Sequence, residues 1–278
     1  MKIIDSPDEM QRFSRNVRHS GKRLGFVPTM GALHAGHLSL VKTARGQADC
    51  VAASIFVNPL QFGPNEDFSK YPRTFDRDCQ LLEAEKVDVL FAPNVQAMYP
   101  GGAKTTVEVA ELSERLDGKS RPGHFKGVTT VVSKLLNIVQ PDVAFFGQKD
   151  AAQAAIIRRM VRDLNMDVQI VVCPIVREAD GLAMSSRNAY LSPAERKVAG
   201  QLNLVLKAAI ARLLKGDAIS DVEQAGAAAL MEAGFDTVDY VAVRDAQMLA
   251  AVADLSKPVR ILAAGKIGRT RLIDNMAV

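Results

Sequence analysis

The chain has 278 residues, 48% hydrophobic and 24% charged, which is enough for one large or two modest domains with cores of their own. Its net charge of +4 comes from 35 basic against 31 acidic residues scattered along the chain, and aromatics make up 5%, so it lacks the basic stripe with interleaved aromatics of a dedicated nucleic-acid binder. No run approaches the roughly 20 apolar residues of a membrane span, no apolar signal core follows Met1, and Cys50, Cys79 and Cys173 fit neither a disulfide framework nor a zinc spacing. These features predict a cytoplasmic protein with reduced thiols, no membrane contact, no bound metal cluster and no nucleic-acid partner.

The first part of the chain alternates short β-rich runs with helical patterns. Leu24–Thr29 reads as a buried strand and Leu38–Gly46 as the helix after it. Val51–Val57 is almost free of polar residues, as expected of a parallel strand covered on both faces. Phe75–Glu85 has helical spacing, Val87–Ala92 is a short apolar run, and a loop-rich stretch surrounds Pro100-Gly101-Gly102. Val128–Val139 reads as a helix, Val143–Phe146 as a strand, Ala151–Leu164 as a helix and Val168–Cys173 as a strand. Alternation of this kind predicts an α/β fold with a Rossmann-like, doubly wound parallel sheet.

The pattern changes after Pro174. Pro193–Leu214 reads as one long helix capped by Ser192, and Ser220–Ala233 as a second helix closed by Gly234. Thr237–Val243, Val259–Ala263 and Arg271–Ile273 read as three short strands able to pair antiparallel. The expected organisation is a ligand-binding domain over residues 1–175 and a smaller α+β domain over 176–278.

The most informative segment is Pro28-Thr29-Met30-Gly31-Ala32-Leu33-His34-Ala35-Gly36-His37, at the first strand–helix junction. Free N–H groups and the positive dipole end of a helix attract phosphate there, and glycines let the backbone approach a ligand. Two histidines three apart share a face if both are helical, and their imidazoles can donate hydrogen bonds to charge developing at phosphorus. Neither the GxGxxG dinucleotide pattern nor the P-loop pattern GxxxxGK[ST] occurs in this segment. A lone histidine here would read as a helix cap or a surface residue, and an HxxH metal pair would lack an obvious third ligand.

Three further segments sit at equivalent or hinge positions. Asn58-Pro59-Leu60-Gln61 follows the second strand, where open α/β sheets bind ligands, and its amides suit hydroxyl or carboxylate recognition, although alone it is an ordinary Asn-Pro turn. Gly147-Gln148-Lys149-Asp150 ends a later strand, with Gln153 on the next helix; Lys149 is a cation for phosphates or a solvated loop lysine, and Asp150 a helix cap or an anchor for a metal-bound water. Met184-Ser185-Ser186-Arg187 lies just beyond the expected boundary, with two hydroxyls and an arginine fit to clamp a triphosphate, or forms an ordinary turn before the long helix.

The His-x-Gly-His string resembles the motif of the adenylate-forming nucleotidyltransferase superfamily. The longer Pro28–His37 string, with Phe56–Gly63, Phe145–Asp150, Met184–Asn188 and Arg121–Gly127, resembles the pantoate–β-alanine ligase (pantothenate synthetase) family. The resemblance implies ATP-dependent activation of pantoate as an acyl-adenylate and its transfer to β-alanine, with Mg²⁺ accompanying ATP, in a homodimer. It implies His34, His37, Lys149 and Arg187 as catalytic. It places ATP against Met30–His37, Gly147–Asp150, the main chain of Val176 and Met184–Arg187, and pantoate against Gln61 and Gln153. His124, in the matching Arg121–Gly127 segment, is a loop histidine of the kind more often structural and is not assigned to catalysis. A nucleotidylyltransferase that stops at nucleotide transfer shares His-x-Gly-His but has no use for the acid-binding glutamines, and an RNA-binding or nucleotide-sensing module would use the basic excess alone.

Overall fold

The computed structural model describes residues 1–64 and 66–278. Its larger sheet has six parallel strands, β1 (Lys2–Ile4), β2 (Leu24–Thr29), β3 (Cys50–Ile55), β4 (Val89–Phe91), β5 (Val143–Gly147) and β6 (Gln169–Cys173), in the order β1-β4-β3-β2-β5-β6. Strand side chains alternate between two cores with period two. Phe26, Ala52, Phe91 and Phe146 face one cluster, while Val27, Ala53, Leu90 and Phe145 face the other. The first cluster is covered by helices α1 (Pro7–His19), α6 (His124–Val139) and α7 (Ala151–Asp163), the second by α2 (Ala35–Arg45) and α3 (Phe75–Ala84). This is the doubly wound arrangement expected from the apolar, two-sided strands.

From β2 the chain adds β3 and then β4 on one side; α6 afterwards carries it back, so that β5 pairs with the opposite edge of β2. The reversal between β2 and β5 opens a crevice at their carboxyl ends, where open α/β sheets hold ligands. Pro28–His37 leaves β2 at that point and Gly147–Asp150 leaves β5 there. Two one-turn helices, α4 (Val95–Met98) and α5 (Asp117–Ser120), punctuate the long connection before α6.

The remaining residues build a three-stranded antiparallel sheet, β7 (Thr237–Asp245), β8 (Val259–Ile267) and β9 (Thr270–Ala277), longer than the apolar runs suggest. One face packs on α8 (Pro193–Ala199), α9 (Gln201–Leu213) and α10 (Ile219–Glu232) through Leu202, Leu206, Val222, Leu230, Val243 and Ile261. Leu249 and Leu262 instead join the core beside α6.

Several expectations need correction. The long helix over Pro193–Leu214 is two helices broken at Gly200; Ser192 does cap the first, in a box with Glu195. Gly200 itself keeps helical dihedrals (φ −61°, ψ −22°), and a Cβ there would lie 2.8 Å from the Asp180 carboxylate. Helix α2 starts at Ala35, three residues before Leu38, because His34 caps it. Helix α6 likewise starts at His124 rather than Val128. The N-terminal β1 and α1 carried no expectation, although Ser6 accepts from the Glu9 N–H and Pro7 occupies the first turn of α1.

Candidate active site

The turn after β2 is held in shape by the protein's own hydrogen bonds. Asp78 of α3 is fully buried, and its carboxylate accepts the Ala32 and Leu33 N–H groups at 2.8 Å each and the Thr74 hydroxyl at 3.1 Å. Thr29 donates to the Ser54 carbonyl at 2.7 Å and accepts the Gly31 N–H at 3.1 Å. These bonds hold Ala32 at φ +50°, a conformation that costs a residue with a Cβ about 1 kcal/mol. The sequence offered no signal for Asp78, which lies 45 residues beyond Leu33.

The two histidines do not share a helical face. His34 stands outside the helix with extended backbone (φ −137°, ψ 174°), and its Nδ1 accepts the Gly36 N–H at 3.1 Å. His37, on the first turn, accepts the His34 N–H at its own Nδ1 at 3.4 Å. The ring centres are 4.1 Å apart. Since a backbone N–H can only donate, both Nδ1 atoms are unprotonated, and each neutral ring carries its hydrogen on Nε2. A Cβ at position 36 would stand 2.8 Å from the His34 ring, so this packing requires glycine there. Burial, reinforced by the Lys149 ammonium, brings His34 down to about 4, and burial with the neighbouring His34 brings His37 down to about 3. Both rings are therefore neutral donors near pH 7.

A cavity of about 220 Å³ opens beside them. Among the residues singled out in the sequence, Met30, His34, Gly36, His37, Gln61, Gly147, Lys149, Asp150, Gln153, Val176, Met184, Ser185, Ser186 and Arg187 line it. Gly31, Ala32 and Leu33 are instead buried behind the turn, Ala35 is exposed, and Gln148 is represented near the site by a carbonyl held from β9. At one end Phe56, Val128, Val131, Val132 and Leu135 form an apolar wall.

The polar group at that end is set by Asn58, which is 1% exposed. Its Oδ1 accepts from the Tyr99 hydroxyl (2.9 Å) and the Leu60 N–H (3.3 Å), while Nδ2 donates to the Gly127 carbonyl and to Gln61 Oε1 (3.1 Å each). The Leu60 N–H and the Gly127 carbonyl fix which way the Asn58 amide points, and so leave Gln61 presenting its NH₂ beside Met30 Sδ at 3.0 Å. Helix α6 approaches this turn so closely that a Cβ at Gly127 would lie 2.2 Å from the Leu60 carbonyl oxygen.

Arg121 and His124 line the cavity as well. Arg121 pairs with Glu66 through two 2.6 Å contacts and donates to His124 Nε2 at 2.8 Å, so His124 donates from Nδ1 to the Gln61 carbonyl at 2.8 Å. Burial and the adjacent guanidinium bring His124 down to about 4. Through that bond His124 holds the Gln61 turn.

At the opposite end Lys149 Nζ lies 3.4 Å from the Asp150 carboxylate. Burial alone would raise Asp150, but the Lys149 ammonium keeps it below the usual carboxylate range. Asp150 occupies the cap position of α7 without capping it, its carboxylate being turned to Lys149. Ser186 donates to the Ala32 carbonyl at 2.9 Å, tying its segment to the turn after β2, and the Val176 carbonyl accepts the Met184 N–H at 3.0 Å. Arg187 makes a two-pronged pair with Asp67 (2.9 and 3.0 Å) and lies over the Tyr71 ring. Asp67 is a partner the sequence did not point to, since the two are 120 residues apart.

One cavity thus joins an amide-lined, apolar-walled end to an end with neutral imidazoles, an ammonium, two hydroxyls and a guanidinium. A family model described as pantoate-beta-alanine ligase matches residues 2–277. The chain belongs to the pantoate–β-alanine ligase family. The pantothenate synthetase of Koribacter versatilis is 53% identical over 283 residues, covering 100% of this chain and 96% of that protein. The pantothenate synthetase of Thermotoga petrophila is 54% identical over 278 residues, with 99% of each covered. The crystal structure of the Thermus thermophilus enzyme superimposes with a TM-score of 0.93 at 45% identity over 99% of both chains. The Francisella tularensis ligase, solved with beta-gamma ATP and beta-alanine, superimposes with a TM-score of 0.84 at 37% identity, covering 100% of this chain and 97% of that one. In this family fold the turn after β2 and the turn after β5 meet at the crevice that the strand order opens.

Free Cys50 and Cys173 are buried and Cys79 is half-buried. Among the described residues, no helix is long and apolar enough to cross a membrane, and no group of three or more His, Cys, Asp or Glu side chains gathers as a metal site.

Proposed function

We infer that this chain joins (R)-pantoate to β-alanine with ATP, passing through a pantoyl-adenylate and releasing pyrophosphate and AMP. The observation that carries this reading is one cavity lined by the amides of Gln61 and Gln153 and an apolar wall as well as by two imidazoles, an ammonium, a guanidinium and two hydroxyls. A carboxylate is a poor electrophile, because expelling oxide is unfavourable. Attack of a pantoate carboxylate oxygen on the α-phosphorus forms a mixed anhydride while the bond to the pyrophosphate oxygen breaks. The β-alanine amine then forms a bond to the acyl carbon, AMP departs with the former carboxylate oxygen, and the amine loses a proton.

In our reading the Gln61 NH₂ and Gln153 hold the oxygens of pantoate, and the apolar wall takes its paired methyl groups. The Nε2–H donors of His34 and His37 stabilise charge on the α-phosphate as neutral groups, which needs no proton uptake at neutral pH. Lys149 and Arg187 neutralise the phosphates, with Ser185 and Ser186 as hydroxyl donors. The adenine lies against the main chain of Val176, and Met30, His34, Gly36, His37, Gly147, Lys149 and Asp150 form the nucleotide walls. Chemistry of this kind is mainly positioning and charge stabilisation, so no nucleophilic side chain is required.

Mg²⁺ accompanies ATP in this proposal and neutralises phosphate charge. Asp150, whose carboxylate lines the cavity, is a hard oxygen donor that would suit its water shell. We assign residues 1–175 to substrate binding and 176–278 to a lid that shelters the anhydride from water, in a cytoplasmic homodimer. Support for the lid comes from Ser186 and Arg187, which reach across to Ala32 and Asp67.

The deciding experiment is pyrophosphate exchange into ATP with pantoate present and β-alanine absent. Exchange that depends on pantoate is expected; exchange without pantoate, or none in a preparation that binds ATP, would overturn the adenylate route. Light scattering of the purified protein reads the oligomeric state directly.

A further inference from the structure

Behind the phosphate end, a buried side chain of the small sheet reaches the turn that carries Lys149. Asn275 lies on β9 and is 2% exposed. Its Nδ2 donates to two successive main-chain carbonyls, those of Gln148 at 2.9 Å and Lys149 at 3.0 Å. Its Oδ1 accepts from Arg260 Nε at 2.9 Å. Carbonyl oxygens can only accept and a guanidinium can only donate, so the amide has one allowed orientation and all its capacity to donate is directed at the Lys149 turn.

The strand that carries Asn275 is itself anchored. The Asn275 N–H donates to Asp274 Oδ1 at 2.7 Å, and Asp274, also 2% exposed, takes Arg177 in a two-pronged pair at 2.7 and 2.9 Å. Arg177 follows Val176 and donates to the Gly181 carbonyl at 2.8 Å. Residues 274 and 275 therefore brace the Lys149 turn on one side and the segment leading to Met184–Arg187 on the other.

We propose that Asn275 is a positioning residue for Lys149. Holding the carbonyls on both sides of the Lys149 Cα fixes two peptide planes, and these fix the direction in which its side chain leaves the backbone. The ammonium is then aimed into the cavity before ATP arrives, by a residue that does not line the cavity itself. The proposal rests on the reading of the site as an ATP-dependent activator of pantoate. Fixing the turn from β9 also makes the charge at the switch point depend on the seating of the small sheet, so the two parts of the molecule are joined at the atoms that matter for phosphate chemistry.

The test uses Asn275→Asp, which keeps the volume and the Arg260 contact but turns the NH₂ donor into an oxygen facing two carbonyls. Pantoate-dependent pyrophosphate exchange is expected to fall by roughly 10- to 100-fold, the scale of a misplaced catalytic group, while the KM for pantoate stays within about twofold. On a Lys149→Ala background the same change is expected to cost less than about threefold, because both substitutions then remove one function. Asn275→Ala, which removes the donors without placing an acceptor against the carbonyls, is expected to give the same pattern and carries the test if the aspartate variant does not fold. A wild-type exchange rate, a full multiplicative loss on the Lys149→Ala background, or a pantoate KM that rises as much as the rate falls would each overturn the proposal. Absence of pantoate-dependent exchange in the unmodified protein would instead remove the functional reading beneath it.

Discussion

His34 and His37 each use Nδ1 to accept a backbone N–H of their own turn, so the two rings, 4.1 Å apart between centres, reach the cavity as neutral Nε2–H donors. The pair that reads in sequence as two histidines on one helical face is a cap and a first-turn residue, and the capping is what sets the tautomer.

This has a pH signature. The folded protein holds His34 and His124 down at about 4 and His37 at about 3, while the unfolded chain titrates near 6.5. As pH falls below 6.5 the unfolded chain takes up these protons first, so their contribution to stability is fully present above 6.5 and is lost as pH drops toward 4 and then 3. Denaturation midpoints between neutrality and about pH 5 should fall steadily, and His37→Gln should make that slope shallower. An unchanged slope in the variant would show that His37 is not held neutral.

Asn58→Ala removes the partner of four groups: Tyr99, Leu60, Gly127 and Gln61. Unfolding free energy should drop by about 2–3 kcal/mol from the buried groups left unpaired. The KM for pantoate should rise at least about tenfold with the KM for ATP nearly constant, because the freed Gln61 amide can rotate. Equal shifts in both constants would argue against Asn58 as the orienter of Gln61.

Asp78→Asn replaces one carboxylate oxygen with an NH₂ that faces a backbone N–H, either that of Ala32 or that of Leu33. The strained turn should relax, at a cost of about 2–4 kcal/mol in stability. Pyrophosphate exchange should be lost more severely than thermal stability accounts for. A variant with wild-type exchange would show that the turn holds its shape without this clamp.

Asp67 holds Arg187 with two hydrogen bonds, and a phosphate would compete for the same guanidinium. Asp67→Asn weakens that competitor without removing volume, so the KM for ATP should fall by about 3- to 10-fold, the scale of one charge-assisted contact. A KM that rises would mean that Asp67 assists ATP binding, for instance through the metal.

Gly127→Ala would place a methyl group 2.2 Å from the Leu60 carbonyl oxygen and 2.6 Å from the Gln61 N. The turn must move, with a stability cost of about 1–3 kcal/mol and weaker pantoate binding in calorimetry. Wild-type pantoate affinity would show that the turn yields without carrying the Gln61 side chain with it.

The sequence by itself determined the alternation of strands and helices, and it marked three C-terminal runs able to pair antiparallel and most of the residues that line the cavity. Two-sided apolar strands such as Val143–Phe146 announce a covered parallel sheet, and Ser192-Pro193 announces a helix start, because these signals are local. The string Pro28–His37 likewise carries its glycines, histidines and helix end within ten residues. Only the tertiary structure decided which parts face one another. Strand order put the ends of β2 and β5 together; nothing in either strand's composition specifies its neighbour. The same holds for Asp78 under Leu33, Asp67 against Arg187 and Asn275 behind Lys149, pairs separated by 45, 120 and 126 residues. A carboxylate or an amide looks the same in sequence whether it is solvated or buried. Its role is fixed by burial, which demands a partner for every polar atom, and that partner is assigned by the fold. Gly200 shows the converse limit, since its helical dihedrals let the pattern run on although two helices meet there.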